Sequence, residues 1–116
     1  MGSSRTRHYP ASHGIDEWII GFDRGLRTLT GTHQAARPNP AEDVAEADLT
    51  AQERSHVAGL MRVNHTGEVC AQALYEGQAL MASDTNAKAS LMSAAAEEQD
   101  HLVWCRSRLR ELDARP

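Results

Sequence analysis

The sequence predicts an all-α protein in which a short amphipathic helix precedes a long helical hairpin. Three observations support this fold class. Apolar residues recur at steps of three and four in three separate segments, which is the period of a helix with one buried face. Glycine, proline and short polar residues cluster between these segments. No stretch alternates with the period of two that a strand requires.

The composition limits the size of the protein and its partners. With 116 residues, 41% of them hydrophobic and few of them aromatic, the chain is expected to form one small domain with a thin core. The net charge of -4 gives no basic surface for phosphates, so we expect no nucleic-acid partner. No apolar run reaches the length that a membrane-spanning helix needs.

The first 14 residues, MGSSRTRHYPASHG, are polar and lack the apolar segment of a secretory signal peptide. The opening MGSSRT matches a short acylation pattern, which we interpret as chance or as a cloning leader. Cys70 and Cys105 lack metal-ligand spacing and fall within helical patterns. We expect both to be small core residues of a protein in a reducing compartment.

Residues 15–29 predict the short helix, and residues 30–49 predict a linker. Gly31 is expected to end the helix, and Pro38 and Pro40 with an acidic run favour a linker that winds over a surface or is loosely ordered. Such a helix could cover the hairpin, which we favour, or lie on a membrane surface beside its arginines Arg24 and Arg27. Its apolar stripe consists of Ile15, Trp18, Ile19, Phe22, Leu26 and Leu29.

Residues 50–116 predict the hairpin. Thr50 and Glu53 form a capping box that opens a helix over about 50–82. The turn sequence SDTN follows, and a second helix is expected over about 86–112, antiparallel to the first. The apolar seam of the second helix contains Leu91, Ala95, Glu98, Leu102, Cys105, Leu109 and Leu112, and the apolar stripe of the first contains Leu60, Val63, Gly67, Cys70, Leu74, Gly77 and Met81.

Glu98 interrupts an apolar seam, and an unpaired buried carboxylate is costly. His101 lies three residues later on the same face, so the two side chains offer an oxygen and a nitrogen to one point. Glu68 lies at nearly the same distance from the turn on the other arm, so it is expected at the same level. Di-iron bundles use one Glu from each of two helices and one Glu-x-x-His from each of the other two. The hairpin therefore predicts half of such a site.

Four neighbouring residues compete with this interpretation. His65 precedes Glu68 by one helical turn and could be a ligand, but we favour a role behind the ligands or in solvent. Glu97 and Asp100 are expected on a solvated face, although Asp100 could orient a ligand. Tyr75 is expected to be a core aromatic residue rather than a redox partner.

The segments GLMRVNHTGEVCAQALYEGQAL and AAAEEQDHLVWCRSRLREL, with FDRGLRTLTG and ARPNPA before them, resemble the demethoxyubiquinone hydroxylase family. The resemblance implies a ferritin-like fold and a membrane-associated di-iron monooxygenase. It further implies that Glu68 is a terminal iron ligand, that Glu98 bridges two irons and that His101 binds one of them. The substrates it implies are dioxygen and a lipid quinol, the precursor of ubiquinone, at the cytoplasmic face of the bacterial cell membrane.

Family members carry a second Glu and a second Glu-x-x-His in the same chain, so the resemblance covers their N-terminal half. We therefore expect residues 1–116 to be one partial ferritin-like domain that associates with a second copy or with the missing half. The alternatives are a homodimeric iron-binding bundle without quinone hydroxylase activity, and an inactive helical fragment.

Overall fold

Three helices make up the part of the chain that the computed structural model describes, residues 14–31 and 33–116. Helix α1 spans Ile15–Thr30, α2 spans Ala51–Met81 and α3 spans Thr85–Glu111. The predicted helices 15–29, 50–82 and 86–112 therefore agree with the structure to within one residue at each end. The acylation pattern MGSSRT lies outside the described residues. Among the described helices, none combines the length and apolarity needed to cross a bilayer.

The ends of the helices follow from local chemistry. The hydroxyl of Thr50 accepts the backbone N–H of Glu53, whose carboxylate accepts the backbone N–H of Thr50, so the predicted capping box is confirmed. Asp84 caps α3 by accepting the backbone N–H of Ala87 at 2.7 Å. Gly31 ends α1 with φ of 72°, a conformation that favours glycine.

The core of the hairpin lies along the predicted seam of α3. Leu102 and Leu109 have no exposed surface, and Leu109 packs in a cluster with Ala58 of α2 and Leu112. Leu49 and Val57 pack against the cluster at the open end of the hairpin. The buried apolar side chains are Ala58, Ala79, Ala95, Leu102, Cys105, Leu109 and Leu112.

The predicted stripe of α2 does not face α3. Its large members, together with Cys70, are exposed, so the prediction that Cys70 is a core residue is wrong, whereas that for Cys105 is confirmed. The face that meets α3 instead contains Ala58, His65, Gln72 and Ala79, which recur every seven residues. Small and polar residues form this face, so apolarity alone identifies the wrong side of the helix. The exposed apolar residues of α2 are Leu60, Val63, Leu74 and Met81.

Helix α1 lies against both arms of the hairpin, and Gly21 lies close to the side chain of Leu80 on α2. Lys88 pairs with Glu17 at 3.1 Å near the turn, and Arg106 donates to the carbonyl of Thr28 at 2.8 Å near the C-terminal end of α3. The favoured prediction that α1 covers part of the hairpin is therefore confirmed, but its apolar stripe stays largely exposed. Its exposed members are Ile15, Trp18, Ile19, Phe22, Leu26 and Leu29.

The linker winds over the surface of α3, which is one of the two arrangements predicted for it. Its first part is held by Asp100, which accepts the backbone N–H of Ala36 at 2.7 Å. Nearer its end, Glu46 forms an ion pair with Arg108. Its end is held by Leu49, which packs against the apolar cluster at the open end of the hairpin. The linker thereby becomes a wall beside the C-terminal half of α3.

Candidate metal centre

The three predicted ligand residues come together in the middle of the hairpin. Glu68 lies on α2, and Glu98 and His101 lie one turn apart on the same face of α3. Because the helices are antiparallel and joined by a turn of a few residues, positions equally far from the turn meet at one level. One ligand atom from each of the three side chains lies within 4.8 Å of the others.

The shortest contacts of the cluster involve the imidazole. Nδ1 of His101 lies 2.9 Å from Oε2 of Glu98 and 3.7 Å from Oε2 of Glu68. All three residues are half-buried, so the cluster is neither sealed in the core nor freely solvated. The ligand atoms that would hold a cation, a carboxylate oxygen from each Glu and a ring nitrogen of His101, lie close to one another.

The two carboxyl groups of the cluster compete for a proton. Hydrogen bonding to Glu98 raises the pKa of Glu68, and burial raises it further. The same hydrogen bond lowers the pKa of Glu98 against the opposing effect of burial, and the contact with His101 lowers it further. Two carboxylates held this close repel each other unless a proton or a cation lies between them.

The chemistry of the donors fits a divalent transition metal. Carboxylate oxygens and an imidazole nitrogen suit iron and similar ions. Cys105 lies nearby, but burial and the negative charge of Glu68 raise the pKa of its thiol, so a thiolate ligand is disfavoured. Among the described residues, Glu68, Glu98 and His101 are the group of at least three His, Cys, Asp or Glu side chains that lie close enough together to hold a metal ion.

His65 lies outside this cluster. It is buried, and its Nε2 faces Nε of Arg106 at 3.2 Å. The solvent part of this expectation is therefore wrong, whereas a role behind the ligands stays a prediction. His65 accepts from Arg106, which also donates to the carbonyl of Thr28 at the end of α1. Burial and the charge of Arg106 lower the pKa of His65, which favours the neutral ring that can accept from the guanidinium.

Asp100 is 3% exposed, so its predicted place on a solvated face is wrong. Its carboxylate accepts Nε of Arg37 at 2.6 Å in addition to the backbone N–H of Ala36. Glu97 is exposed as predicted. Tyr75 is half-buried on α2, one face of which packs against α3, and it is not a member of the metal cluster.

Trp104 was not predicted as a site residue. Its ring lies 5.4 Å from the ring of His101 at a tilt of 48°, and the guanidinium of Arg37 lies 5.6 Å from the centre of the indole. The spacing His101-x-x-Trp104 places both rings on one face of a helix and could have indicated the contact. Nothing in the local sequence indicates Arg37, because it comes from the linker.

An open groove of about 1160 Å³ leads to the cluster. Linker residues form one wall, and side chains of α2 and α3 form the floor, where Glu68 and His101 are accessible. A molecule in this groove could reach the ligand atoms without passing through the core of the hairpin.

Comparison with known proteins gives a consistent result. The family model described as ubiquinone biosynthesis protein COQ7 matches residues 55–116, which include all three cluster residues. A curated 3-demethoxyubiquinol 3-hydroxylase from Burkholderia cenocepacia is 59% identical over 88% of this chain and 50% of its own length. Similar proteins of the same name occur in Acinetobacter baylyi, 58% identical over 95% of the chain and 51% of the relative, and in Chromobacterium violaceum, 55% identical over 88% and 50%.

The chain thus spans about half the length of the curated relatives that it matches. No solved structure matches it significantly.

Proposed function

Because this chain belongs to the family of the ubiquinone biosynthesis protein COQ7, we propose that it takes part in hydroxylating a demethoxyubiquinol, as the N-terminal half of a 3-demethoxyubiquinol 3-hydroxylase. The reaction class is that of an oxidoreductase, specifically a monooxygenase, whose substrates are a lipid quinol and dioxygen. The observation that carries this proposal is the convergence of Glu68, Glu98 and His101 in the middle of the hairpin.

The proposed cofactor is iron, with two ions in a complete site, and when bound it would supply the activation of dioxygen. Glu98 contacts both Glu68 and His101, and those two residues also contact each other, so the three side chains could hold iron together. Glu68 and Glu98 would hold the iron through carboxylate oxygens, and His101 would hold it through its imidazole. Contact with Glu98 raises the pKa of Glu68, so protons and the metal would compete for this carboxyl group.

The test of the metal proposal is a titration of the purified chain with Fe²⁺ under anaerobic conditions. Glu98→Gln should reduce the affinity by at least tenfold, because it removes a charged ligand while keeping the size of the side chain. Glu97→Gln is a matched control, since Glu97 is the adjacent residue, carries the same charge and is exposed. Equal binding by the Glu98 variant and the unaltered chain would contradict the assignment.

A second candidate is a homodimer in which two hairpins form one iron-binding bundle without quinone hydroxylation. The exposed apolar face of α2 favours it, because Leu60, Val63 and Leu74 lie in solvent on the side away from α3. Two copies related by a two-fold axis would supply two Glu68 and two Glu98-x-x-His101 sets. Pairing with a separate second half of the family's bundle would cover the same face.

Sedimentation with and without Fe²⁺ separates these candidates from an inactive fragment. An iron-dependent dimer that does not hydroxylate a demethoxyquinol supports the homodimeric bundle. Product formation from the quinol supports the hydroxylase, alone or after addition of the C-terminal half of a relative. A compact monomer that binds no iron contradicts both.

We also propose peripheral association with the cytoplasmic face of the bacterial cell membrane. The support is the exposed apolar stripe of α1, in which Trp18 and Phe22 lie beside charged residues such as Arg27. A helix with one apolar face and one charged face can lie in the interface between water and lipid. A lipid quinol would reach the site from such a surface.

A further inference from the structure

The linker approaches the metal cluster at Arg37. This residue contacts α3 on both sides of His101 in the sequence: its Nε donates to Asp100 at 2.6 Å, and its guanidinium lies over the ring of Trp104. One cation thus binds the residue before His101 and the residue one turn after it. Arg37 itself touches none of the three cluster residues in these contacts.

The ring of Trp104 is the part of this arrangement that reaches the cluster. It lies 5.4 Å from the imidazole of His101, whose side chain is 38% exposed. The imidazole also contacts Glu68 and Glu98. Both carboxylates would also serve as ligands to a bound metal, so they could not act only as supports for the ring. Trp104 is a support that metal binding does not remove.

Arg37 fixes the position of Trp104 in turn. The attraction of a guanidinium to an aromatic face holds the indole from the side facing the linker. The bond to Asp100 holds the guanidinium, and the buried Asp100 is rigid because it also accepts the backbone N–H of Ala36. Asp100, Arg37 and Trp104 therefore form a short chain of contacts that ends on the His101 ring.

From this geometry we infer that Arg37 is a positioning residue for the metal-binding imidazole of His101, acting through Asp100 and Trp104. The inference rests on the proposed metal site and adds to it a role for the linker, which has no ligand of its own in the cluster. Residues that orient a ligand from behind typically change metal affinity by about 10- to 100-fold when they are replaced. Arg37→Gln should therefore weaken metal binding without removing any ligand.

Co²⁺ is a suitable probe, because its visible absorption reports the geometry of its ligands. Arg37→Gln is expected to lower the affinity for Co²⁺ by about tenfold or more and to change the absorption of the saturated protein. Arg37→Lys keeps the cation and should restore most of the affinity. Arg27→Gln is the matched control, since Arg27 is a comparably exposed arginine that pairs with Asp23 at 2.8 Å on α1, away from the cluster.

A second measurement needs no metal. In the metal-free chain, the indole of Trp104 should shift the NMR signals of the His101 ring protons through its ring current. Arg37→Gln should reduce that shift, and Arg27→Gln should not. If Arg37→Gln loses helical circular dichroism, Trp104→Leu replaces it, because this change removes the ring that reaches His101 and leaves the bond between Arg37 and Asp100 in place.

The outcomes distinguish failure of the positioning role from failure of the proposed metal site. The positioning role alone is overturned if Arg37→Gln changes the affinity for Co²⁺ by less than about twofold and leaves both the absorption and the His101 ring-proton shifts unchanged. Failure of the unaltered chain to bind Co²⁺ overturns the metal site and the positioning role together. Weakened binding and a reduced ring shift in Arg37→Gln, with recovery in Arg37→Lys, support the role.

Discussion

Glu68 on α2 and His101 on α3 meet at 3.7 Å in the middle of the hairpin, although neither lies in its fully buried core. This contact fixes the relative level of the two helices at the candidate metal centre. It also brings Glu68 against Glu98, so the hairpin holds two carboxyl groups where a single proton or cation can serve both. The site therefore carries repulsion that a core of apolar residues would lack.

Glu68→Gln should change stability and metal binding in opposite directions. The amide removes one charge of the pair, so the metal-free protein should gain on the order of 0.5 kcal/mol in the free energy of unfolding, the size of a like-charge pair on neighbouring helical positions. The same change removes a ligand and should weaken Fe²⁺ binding. Urea unfolding in the presence of a chelator and an Fe²⁺ titration are the two measurements. A loss of stability in the metal-free protein would contradict the account of the carboxyl pair.

Leu109→Ala should destabilise the chain far more than Leu60→Ala. Leu109 has no exposed surface at the open end of the hairpin, and emptying such a position costs about 2–5 kcal/mol. Leu60 is 53% exposed on the outer face of α2, so its truncation should change the free energy of unfolding by less than about 0.5 kcal/mol in the monomer. Urea unfolding at low protein concentration compares them. Similar costs would mean that the outer face of α2 is covered in solution.

Arg106→Met should loosen α1 while leaving the hairpin folded. The guanidinium donates to the carbonyl of Thr28 and to His65, but its buried Nη1 has no partner among the described residues. The methionine side chain buries no charge, but it cannot make the hydrogen bond to the carbonyl of Thr28 on α1. Hydrogen exchange of the amides in α1 should become faster, whereas that of α3 should not. Arg110→Met, at an exposed position on the same helix, is the control.

Stability should fall as the pH drops below 6.5, the ordinary pKa of histidine. Burial lowers the pKa of both His33 and His65 in the folded chain, and the charge of Arg106 lowers both further. Below 6.5 the unfolded chain therefore binds more protons than the folded chain, and the loss continues until the pH passes the folded values. Thermal unfolding between about pH 7.5 and about pH 5.5 measures this loss of stability.

The double variant with His33→Gln and His65→Gln should show a flatter pH dependence in that range. His56→Gln is the control, because His56 is exposed on α2. A dependence that is equally steep in the double variant would assign the effect to other groups.

Replacing Trp18 and Phe22 of α1 by serine should abolish any binding to lipid vesicles. Both side chains are largely exposed, and a helix in the lipid interface gains its affinity from such apolar area. Co-sedimentation with vesicles that contain anionic lipid is the measurement. Val44→Ser is the control, since Val44 is an exposed apolar residue of the linker. Vesicle binding that survives the double replacement would place the lipid contact elsewhere.

The parts of the fold that sequence could predict are those set by neighbours in the chain. The capping box of Thr50 and Glu53, the cap at Asp84 and the stop at Gly31 act over a few residues, so the helix limits follow directly. The level of Glu68 against Glu98 follows from the constant rise of a helix on either side of a short turn. The convergence of the cluster could therefore be predicted without tertiary information.

The parts that sequence could not predict depend on partners far along the chain. An apolar stripe on α2 shows that a face needs cover, but it does not show which neighbour covers it, and α3 packs against the opposite side. The burial of Asp100 depends on Arg37, and the burial of His65 depends on Arg106. A charged or polar residue in a helix is expected in solvent until its remote partner is known.

The turn between α2 and α3, which runs from Ala82 to Asp84, determines an order of events during folding. Contacts beside the turn, such as those near Ala79, close short loops and cost little chain entropy, whereas those at the open end, near Ala58 and Leu109, close long ones. We therefore expect the hairpin to nucleate at the turn and to zip towards Thr50. Glu68 and Glu98 would come together partway through this process, before the open end is complete. Contacts of low sequence separation form quickly, so a nascent chain could present its metal ligands early in folding.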